Sequence, residues 1–292
     1  MSKLTRRLGT AVCAFLLFAG LCAAPALAVD KVSPAKASAE ILPCCDVPLY
    51  VNDSYLGSGI LVDSTTLVPL RTFTEALLQE ACIVTWDQET GTATLEAEDL
   101  TITLTMDDGY MVANGRYIYL EDRVYNINGT IVVPVRELAR IFGAEVVWND
   151  EDWSVIIDID DFQLLEPGET FYSEEDLYWL SHVIYSESGN QPLDGMIGVG
   201  NVVLNRAADE SGLFGKGIEG VIFYPGQFDV VPAGTIWMEP SEKAVAAAKL
   251  CLEGYNTVGD AKWFVNPAIG STSWFRTYKT LSVTIADHDF YA

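Results

Sequence analysis

The sequence predicts an α+β fold in two parts, strand-rich from Asp46 to about Asp161 and helix-rich from Ser173 onward. Three observations carry that prediction. Thr101-Ile102-Thr103-Leu104-Thr105-Met106 alternates polar and apolar residues and runs into Asp107-Asp108-Gly109, the pattern of a half-buried strand closed by a turn. Leu67-Val68-Pro69-Leu70-Arg71 is echoed by Val132-Val133-Pro134-Val135-Arg136. Each copy leads into a short helical stretch and a strand ending at Trp86-Asp87 or Trp148-Asn149-Asp150, which predicts a duplicated β-β-α-β unit with helices covering one sheet face. Leu177, Leu180 and Ile184 then recur at helical spacing behind a capping Ser173.

In chain order, Lys3, Arg6 and Arg7 precede an apolar run from Ala11 to Ala23, and Ala26-Leu27-Ala28 supplies the small residues of a cleavage site. This predicts a signal peptide over 1–28, cut after Ala28. The run is about 13 residues, short of the roughly 20 that a membrane span needs. Lipidation at Cys22 is the alternative, but Leu21 is bulky where a small residue is wanted. Residues 29–45, with Pro34 and Pro43, read as a flexible leader, and no later segment is apolar enough to span a bilayer. The chain is therefore expected to be exported.

Composition narrows the partners. Of 292 residues, 50% are hydrophobic, so the chain can build cores; 17 Lys and Arg stand against 41 Asp and Glu, a formal charge of −24. Nucleic acid and anionic lipid are polyanions and are excluded as partners on that balance. Cys44, Cys45, Cys82 and Cys251 show no CxxC spacing, and a disulfide from Cys44 or Cys45 to Cys82 stays open.

The region 46–161, with its twice-repeated Val-Pro-Val/Leu-Arg pattern and later Trp, resembles the copper amine oxidase N-terminal domain family. The resemblance implies an accessory domain of envelope proteins, for attachment to an envelope partner rather than catalysis. The region contains no His, the usual copper ligand, so copper chemistry is not expected. Arg71 and Arg136 are either ligand contacts or internal bonds of their own helices and strands. The acidic run Asp150–Asp161 lacks the spacing of a calcium loop and reads as a strand with a solvated face. Pro167-Gly168 marks a linker, 162–172.

The helix begun at Ser173 carries Glu174, Glu175 and Asp176 in its first turn, complementing the helix dipole. Its apolar series continues to Glu187, just before the Gly189-Asn190 break. A carboxyl on such a stripe loses hydration, and its pKa rises toward that of a general acid at neutral pH. An ordinary frayed helix-end Glu is the alternative. Pro192 opens the next helix, with Met196, Val199, Val203 and Ala207 on its buried stripe. Gly198-Val199-Gly200 falls inside that pattern and is not a dinucleotide loop.

Tyr185-Ser186-Glu187, Pro192 to Gly195, Val202-Val203-Leu204-Asn205-Arg206, Ile218-Glu219-Gly220-Val221-Ile222, Pro225-Gly226-Gln227-Phe228, Asn266-Pro267, Ser273-Trp274 and His288-Asp289-Phe290 occur in the order found in cell wall hydrolases of the SleB/CwlJ type. The C-terminal region, 173–292, resembles that family. The resemblance implies a lysozyme/transglycosylase-like α+β catalytic domain acting on peptidoglycan glycan strands, with the catalytic Glu at Glu187. It also points to Asn205 and Gln227 as hydrogen-bonding groups for N-acetyl substituents. Tyr224, Trp263 and Trp274 become sugar-stacking faces; Phe228, Asn266 and His288 complete the expected binding residues. Where the family has Ala-Arg-Gly-Glu after the catalytic Glu, this chain has Ser188-Gly189-Asn190-Gln191; where the family ends on Gly-Asn-His, it has Ala286-Asp287-His288. An acid and an amide have thus changed at two places.

Hydrolysis by two carboxylates needs a second acid roughly 5–10 Å away, and Asp229 is the candidate. A lytic transglycosylase needs one Glu, and that chemistry is preferred here at N-acetylmuramic acid–N-acetylglucosamine bonds. A two-carboxylate muramidase and a non-catalytic glycan-binding protein are the alternatives. The two His residues, His182 and His288, with scattered Cys, form no metal-ligand spacing, and no cofactor is expected. No Gly-x-Ser-x-Gly elbow is present, and Cys251 sits in an Ala-rich helix stripe.

Overall fold

The computed structural model describes residues 46–121, 123–160 and 162–292; the expected signal segment, the leader and Cys44 and Cys45 lie outside them. The chain is α+β. Strands β1 (Asp46–Val51), β2 (Ser54–Val62) and β3 (Thr65–Pro69) lead into helix α1 (Leu70–Leu78), then β4 (Ile83–Asp87), β5 (Thr92–Glu96), β6 (Thr101–Thr105), β7 (Tyr110–Ala113) and β8 (Arg116–Tyr119). The second copy follows as β9 (Tyr125–Ile127), β10 (Thr130–Pro134), α2 (Val135–Arg140), β11 (Glu145–Asn149) and β12 (Ser154–Asp158).

The two Val-Pro strands meet each other. β3 and β10 pair antiparallel, with Val133 opposite Val68 and Pro134 opposite Leu67. Each Pro sits where its strand ends and its helix begins, because a ring-fixed φ suits the residue just before a first helical turn. The copies diverge after their helices. β11 and β12 return to the same sheet, giving the order β11-β12-β1-β2-β3-β10-β9, with β12 parallel to β1. In the first copy β4 and β5 instead start a separate meander, β4-β5-β6-β7-β8. The element order β-β-α-β therefore occurs twice, but the strands after the helices join different sheets.

One core lies between them. Phe73 of α1, Leu138 of α2, Leu95 of β5 and Val133 of β10 belong to it, each almost without exposure. Burying a side chain of that size contributes about 1.5–3 kcal/mol. Arg71 bonds Glu75 one turn along its own helix at 2.9 Å, and Arg136 donates to the Val146 carbonyl at 2.8 Å, so both arginines have internal partners. The acidic run is the hairpin of β11 and β12; Ser154, Val155 and Ile157 face inward and Asp158 outward.

The segment expected as a linker is packed. Leu164 and Leu165 join the first core, and Leu165 N–H donates to the Ile141 carbonyl. Gly168, which opens α3 (Gly168–Phe171), donates to Asn114, and a Cβ there would lie 2.3 Å from the Gly115 carbonyl oxygen. Only glycine fits at that approach. The described residues all belong to one compact unit.

The helical part comprises α4 (Glu174–Ser188), α5 (Leu193–Ala207), α6 (Gly217–Ile222), α7 (Val230–Ala233), a 3₁₀ turn (Thr235–Trp237) and α8 (Glu242–Leu252). Ser173 caps α4 by accepting from Asp176 N–H, as its position predicts. Gly200 lies within α5; a Cβ there would come 2.6 Å from Cys251 Sγ of α8 and 2.9 Å from Ile184 of α4. Its missing side chain is what lets three helices meet. Strands β13 (Trp263–Val265), β14 (Leu281–Ile285) and β15 (His288–Tyr291) form a small sheet, with helix α9 (Ser273–Tyr278) before the β14–β15 hairpin. Phe290 of β15 packs on Val199 and Val202 of α5. Among the described residues no helix is long and apolar enough to cross a membrane, and Cys82 and Cys251 are buried free thiols.

The two parts are joined by a buried carboxylate. Glu253, at the end of α8, accepts two hydrogen bonds from Arg116 of β8, at 2.6 and 2.7 Å. Tyr172 donates to the same group at 2.5 Å and Arg140 of α2 at 3.0 Å, while Phe171 lies 3.3 Å from the Arg116 guanidinium. Removing one partner of such a pair strands the other without water and typically costs about 3–5 kcal/mol. Arg116→Met should therefore lower unfolding stability by that order in urea titration, and Glu253→Gln in the same background should recover part of the loss. Additive losses from the two changes would show that no coupling exists.

Candidate functional site

Glu187 stands on the last turn of α4, half-buried, with Val183 and Ile184 fully buried one turn before it. Burial pushes its carboxyl up to about 7; the nearby Asp229 charge pushes the same way, and Arg206 opposes both. Near neutral pH a large share of Glu187 therefore keeps its proton. The helix-stripe reasoning from sequence matches this setting.

Arg206 comes from the last turn of α5 and is 5% exposed. Its Nε donates to the Lys262 carbonyl at 2.7 Å, and its guanidinium sits 4.9 Å from the Phe228 ring centre and 5.3 Å from that of Phe214. Its Nη1 is buried without a hydrogen-bond partner. Desolvation brings its pKa down to about 10, with Glu187 pulling it back up, so it remains a cation. Sequence reading quoted Arg206 only as part of a motif; its charge beside the acid becomes visible through the fold.

The remaining expected residues divide. Phe228 is buried against Arg206, with exposed Asp229 next to it at the start of α7. Tyr224 is exposed, and the Gln227 backbone N–H donates to the Tyr224 carbonyl. Trp263 packs 5.9 Å from Phe214 and carries Lys279 Nζ 3.2 Å over its ring; the same ammonium lies 5.7 Å from the exposed Trp274. Trp263 and Trp274 are in this way linked to the Arg206 side of the site. Asn205, expected at the ligand, spends its side-chain amide on the Gly259 and Ala261 carbonyls, both at 2.8 Å, and so pins the loop before β13. Asn266 closes a turn by accepting from Ala268 N–H. His288 is buried against Phe264 and Phe290, its Nδ1 has no partner, and burial lowers its pKa. His182, on α4, is buried and donates from Nδ1 to the Ile236 carbonyl at 2.9 Å.

The altered acid and amide belong together. Gln191 Nε2 donates to Asp287 at 3.1 Å, and Asp287 N–H donates back to Gln191 Oε1 at 3.3 Å. Set against the Glu and Asn expected at these places, the acid and the amide have exchanged positions, and here they bond each other. The pair ties the segment after Glu187 to the β14–β15 turn.

A cavity of about 1150 Å³ lies elsewhere, between Asp107, Tyr110 and Tyr119 of the strand-rich part and Leu193, Glu242 and Tyr255 of the helical part. It holds none of the residues expected at the site, and size alone does not place chemistry there. Among the described residues no group of three or more His, Cys, Asp or Glu could hold a metal ion.

Two outcomes follow from the electrostatics. A carboxyl raised from 4.5 to about 7 on folding makes the folded chain bind a proton that the unfolded chain has lost. That contribution is complete below about pH 4.5 and disappears as pH rises through 7. Glu187→Gln, which never ionises, should match the parent in melting temperature at pH 4.5 and exceed it at pH 8 by a few degrees. Arg206→Met should move the Glu187 titration, followed by carboxyl carbon NMR, further up, and Arg206→Lys should leave it near the parent value; no movement in Arg206→Met would show that the guanidinium does not act on the acid.

Two parts of the chain match families of known proteins. Residues 190–291 match the Cell Wall Hydrolase family model and residues 50–157 the copper amine oxidase N-terminal domain model. The first match begins just past Glu187, so the place of that residue rests on its own surroundings. The spore cortex-lytic enzyme of Oceanobacillus iheyensis is 35% identical over 106 residues, 36% of this chain and 38% of that protein. That of Bacillus subtilis is 32% identical over 103 residues, 35% of this chain and 33% of that protein. The chain spans well under half the length of these relatives. The crystal structure of the catalytic domain of the Bacillus cereus SleB protein is 30% identical, covering 41% of this chain and 92% of that one, with a TM-score of 0.38. The chain thus resembles cell wall hydrolases of the SleB type over its C-terminal region, preceded by a region like the copper amine oxidase N-terminal domain.

Proposed function

We propose that the chain is a peptidoglycan-lytic enzyme that acts in the cell envelope and cleaves the glycan strand between N-acetylmuramic acid and N-acetylglucosamine, with Glu187 as its acid and base. The observation that carries this reading is the half-buried Glu187 whose carboxyl lies at about 7 beside a buried arginine cation. The family match and the names of the relatives, spore cortex-lytic enzymes, support the same substrate class.

The chemistry needs one carboxyl. Protonated Glu187 donates its proton to the bridging glycosidic oxygen as the bond from that oxygen to the muramic acid C1 breaks. The carboxylate so formed faces the Arg206 cation, which stabilises the negative charge as it appears. Glu187 then takes the proton of the muramic acid 6-hydroxyl while that oxygen bonds to C1, closing a 1,6-anhydro ring. The attack is intramolecular and gains from proximity. Glu187 ends protonated, as it began.

A second reading has an observation of its own, the Asp229 charge close enough to raise Glu187. With Asp229 as nucleophile or as base for water, the enzyme is a two-carboxylate muramidase and its products carry reducing ends. The single-Glu reading is preferred because Asp229 is exposed and lacks the burial that sets Glu187 apart. The strand-rich region is assigned to attachment or recognition at the envelope.

Cleavage of purified sacculi by Glu187→Gln should fall by about 10²–10⁴-fold, with binding to sacculi retained. Asp229→Asn should cost far less, and mass spectrometry of released muropeptides should find anhydro ends. Full activity in Glu187→Gln would sink the assignment. Reducing ends with an inactive Asp229→Asn would establish the muramidase.

A further inference from the structure

Four aromatic rings gather on the helical part, none of them among the residues expected to meet ligand. Trp179 of α4 packs edge-to-face on Tyr178 at 4.9 Å, on Phe223 at 4.9 Å and on Trp237 at 5.5 Å. Phe223 and Trp237 are themselves 6.1 Å apart. Trp179 and Phe223 are partly buried against the helical core, while Trp237 is 60% exposed and Tyr178 46%. Trp237 and Tyr178 put large apolar surface into water beside the partly buried pair, and a group of such surfaces marks an interaction site.

Its position relative to Glu187 is set by two separate pieces of chain. The first is α4. Trp179 and Ser186 are two turns apart on one helix face, and the 3₁₀ turn is bound along that face. Ser186 Oγ donates to the Thr235 carbonyl at 2.9 Å, and His182 donates to Ile236. Glu187 follows Ser186, so Trp179 and Glu187 are separated by about 12 Å along the helix axis. The second is the stretch from Phe223 to Asp229. It starts in the aromatic cluster, turns at Gly226, buries Phe228 against Arg206 and ends at the residue whose charge reaches Glu187.

We infer that Trp237, Trp179 and Phe223, flanked by Tyr178, form a remote sugar-binding platform on which pyranose rings of the glycan strand stack, some two sugars away from the bond cleaved at Glu187. The inference rests on the proposed function and extends it along the strand. Pyranose rings present faces of C–H groups with small positive charge, which complement the negative face of an indole or phenyl ring. The rings are uncharged, which suits an occupant recognised by its sugar faces in a chain of formal charge −24. Binding energy taken there, far from the reacting bond, holds a long strand in place for proton transfer. Short fragments that reach only Glu187 do not gain it.

The test uses the whole chain carrying Glu187→Gln, so that glycan is bound and not consumed. Calorimetry with a peptidoglycan-derived tetrasaccharide and disaccharide is compared with and without Trp237→Ala. The expected result is a loss of about three- to tenfold in tetrasaccharide affinity with disaccharide affinity unchanged. Trp237→Phe, which keeps a ring face, should restore most of it. Equal tetrasaccharide affinity in Trp237→Ala and in a folded Trp179→Ala overturns the platform while leaving the proposed function standing. A change in oligomeric state with no change in glycan affinity assigns the patch to self-association and also overturns it. If the Glu187→Gln chain binds neither saccharide, the proposed function itself fails, and the platform with it.

Discussion

The burial of Glu253 is the constraint on which the arrangement of the molecule depends. A carboxylate removed from water must be matched by donors at each oxygen, and α8 supplies none of them. Arg116 and Arg140 come from the strand-rich part and Tyr172 from the connecting segment. The helical part therefore cannot satisfy its own buried acid. Tyr255, just past the same helix, adds a bond from Arg140 at 2.6 Å. What composition would present as a catalytic module with an appendage is, energetically, one object with a charge at its joint.

That joint explains where sequence reasoning succeeds and where it stops. The alternating strand at Thr101–Thr105, the Ser173 cap and the stripe leading to Glu187 are patterns within a few residues, and each is found in place. The Val-Pro repeat is equally local. Its structural outcome is not, because whether a strand joins one sheet or another is decided by distant partners: β12 pairs with β1, far back in the chain. Arg116 and Glu253 are 137 positions apart, and nothing near either residue announces the other. The same limit applies to Asn205. Its motif marks it as a ligand group, yet its amide is consumed by the loop at 259–261, which only the folded chain brings to it.

The candidate site shows a related division. Glu187 was legible because one carboxylate interrupts an apolar series. Arg206 was not, because an arginine at a helix end is ordinary until Phe214 and Phe228 close over it and Lys262 takes its Nε. The acid and the cation are set against each other: burial disfavours the charged form of both, and their attraction restores part of what burial removes.

The Gln191–Asp287 pair bears on the order in which the molecule is completed. Its two members are 96 positions apart. Contacts of such separation form late, after loop closure has been opposed by chain entropy. Helices α4 and α5 can exist before it, as local structures with short-range contacts. The stretch that follows Glu187 is tied to the last hairpin by this pair and to α8 by the bond Lys243 donates to the Gln191 carbonyl. Without this clamp the acid on α4 would remain, but the segment just after it would lose its tie to the β14–β15 turn.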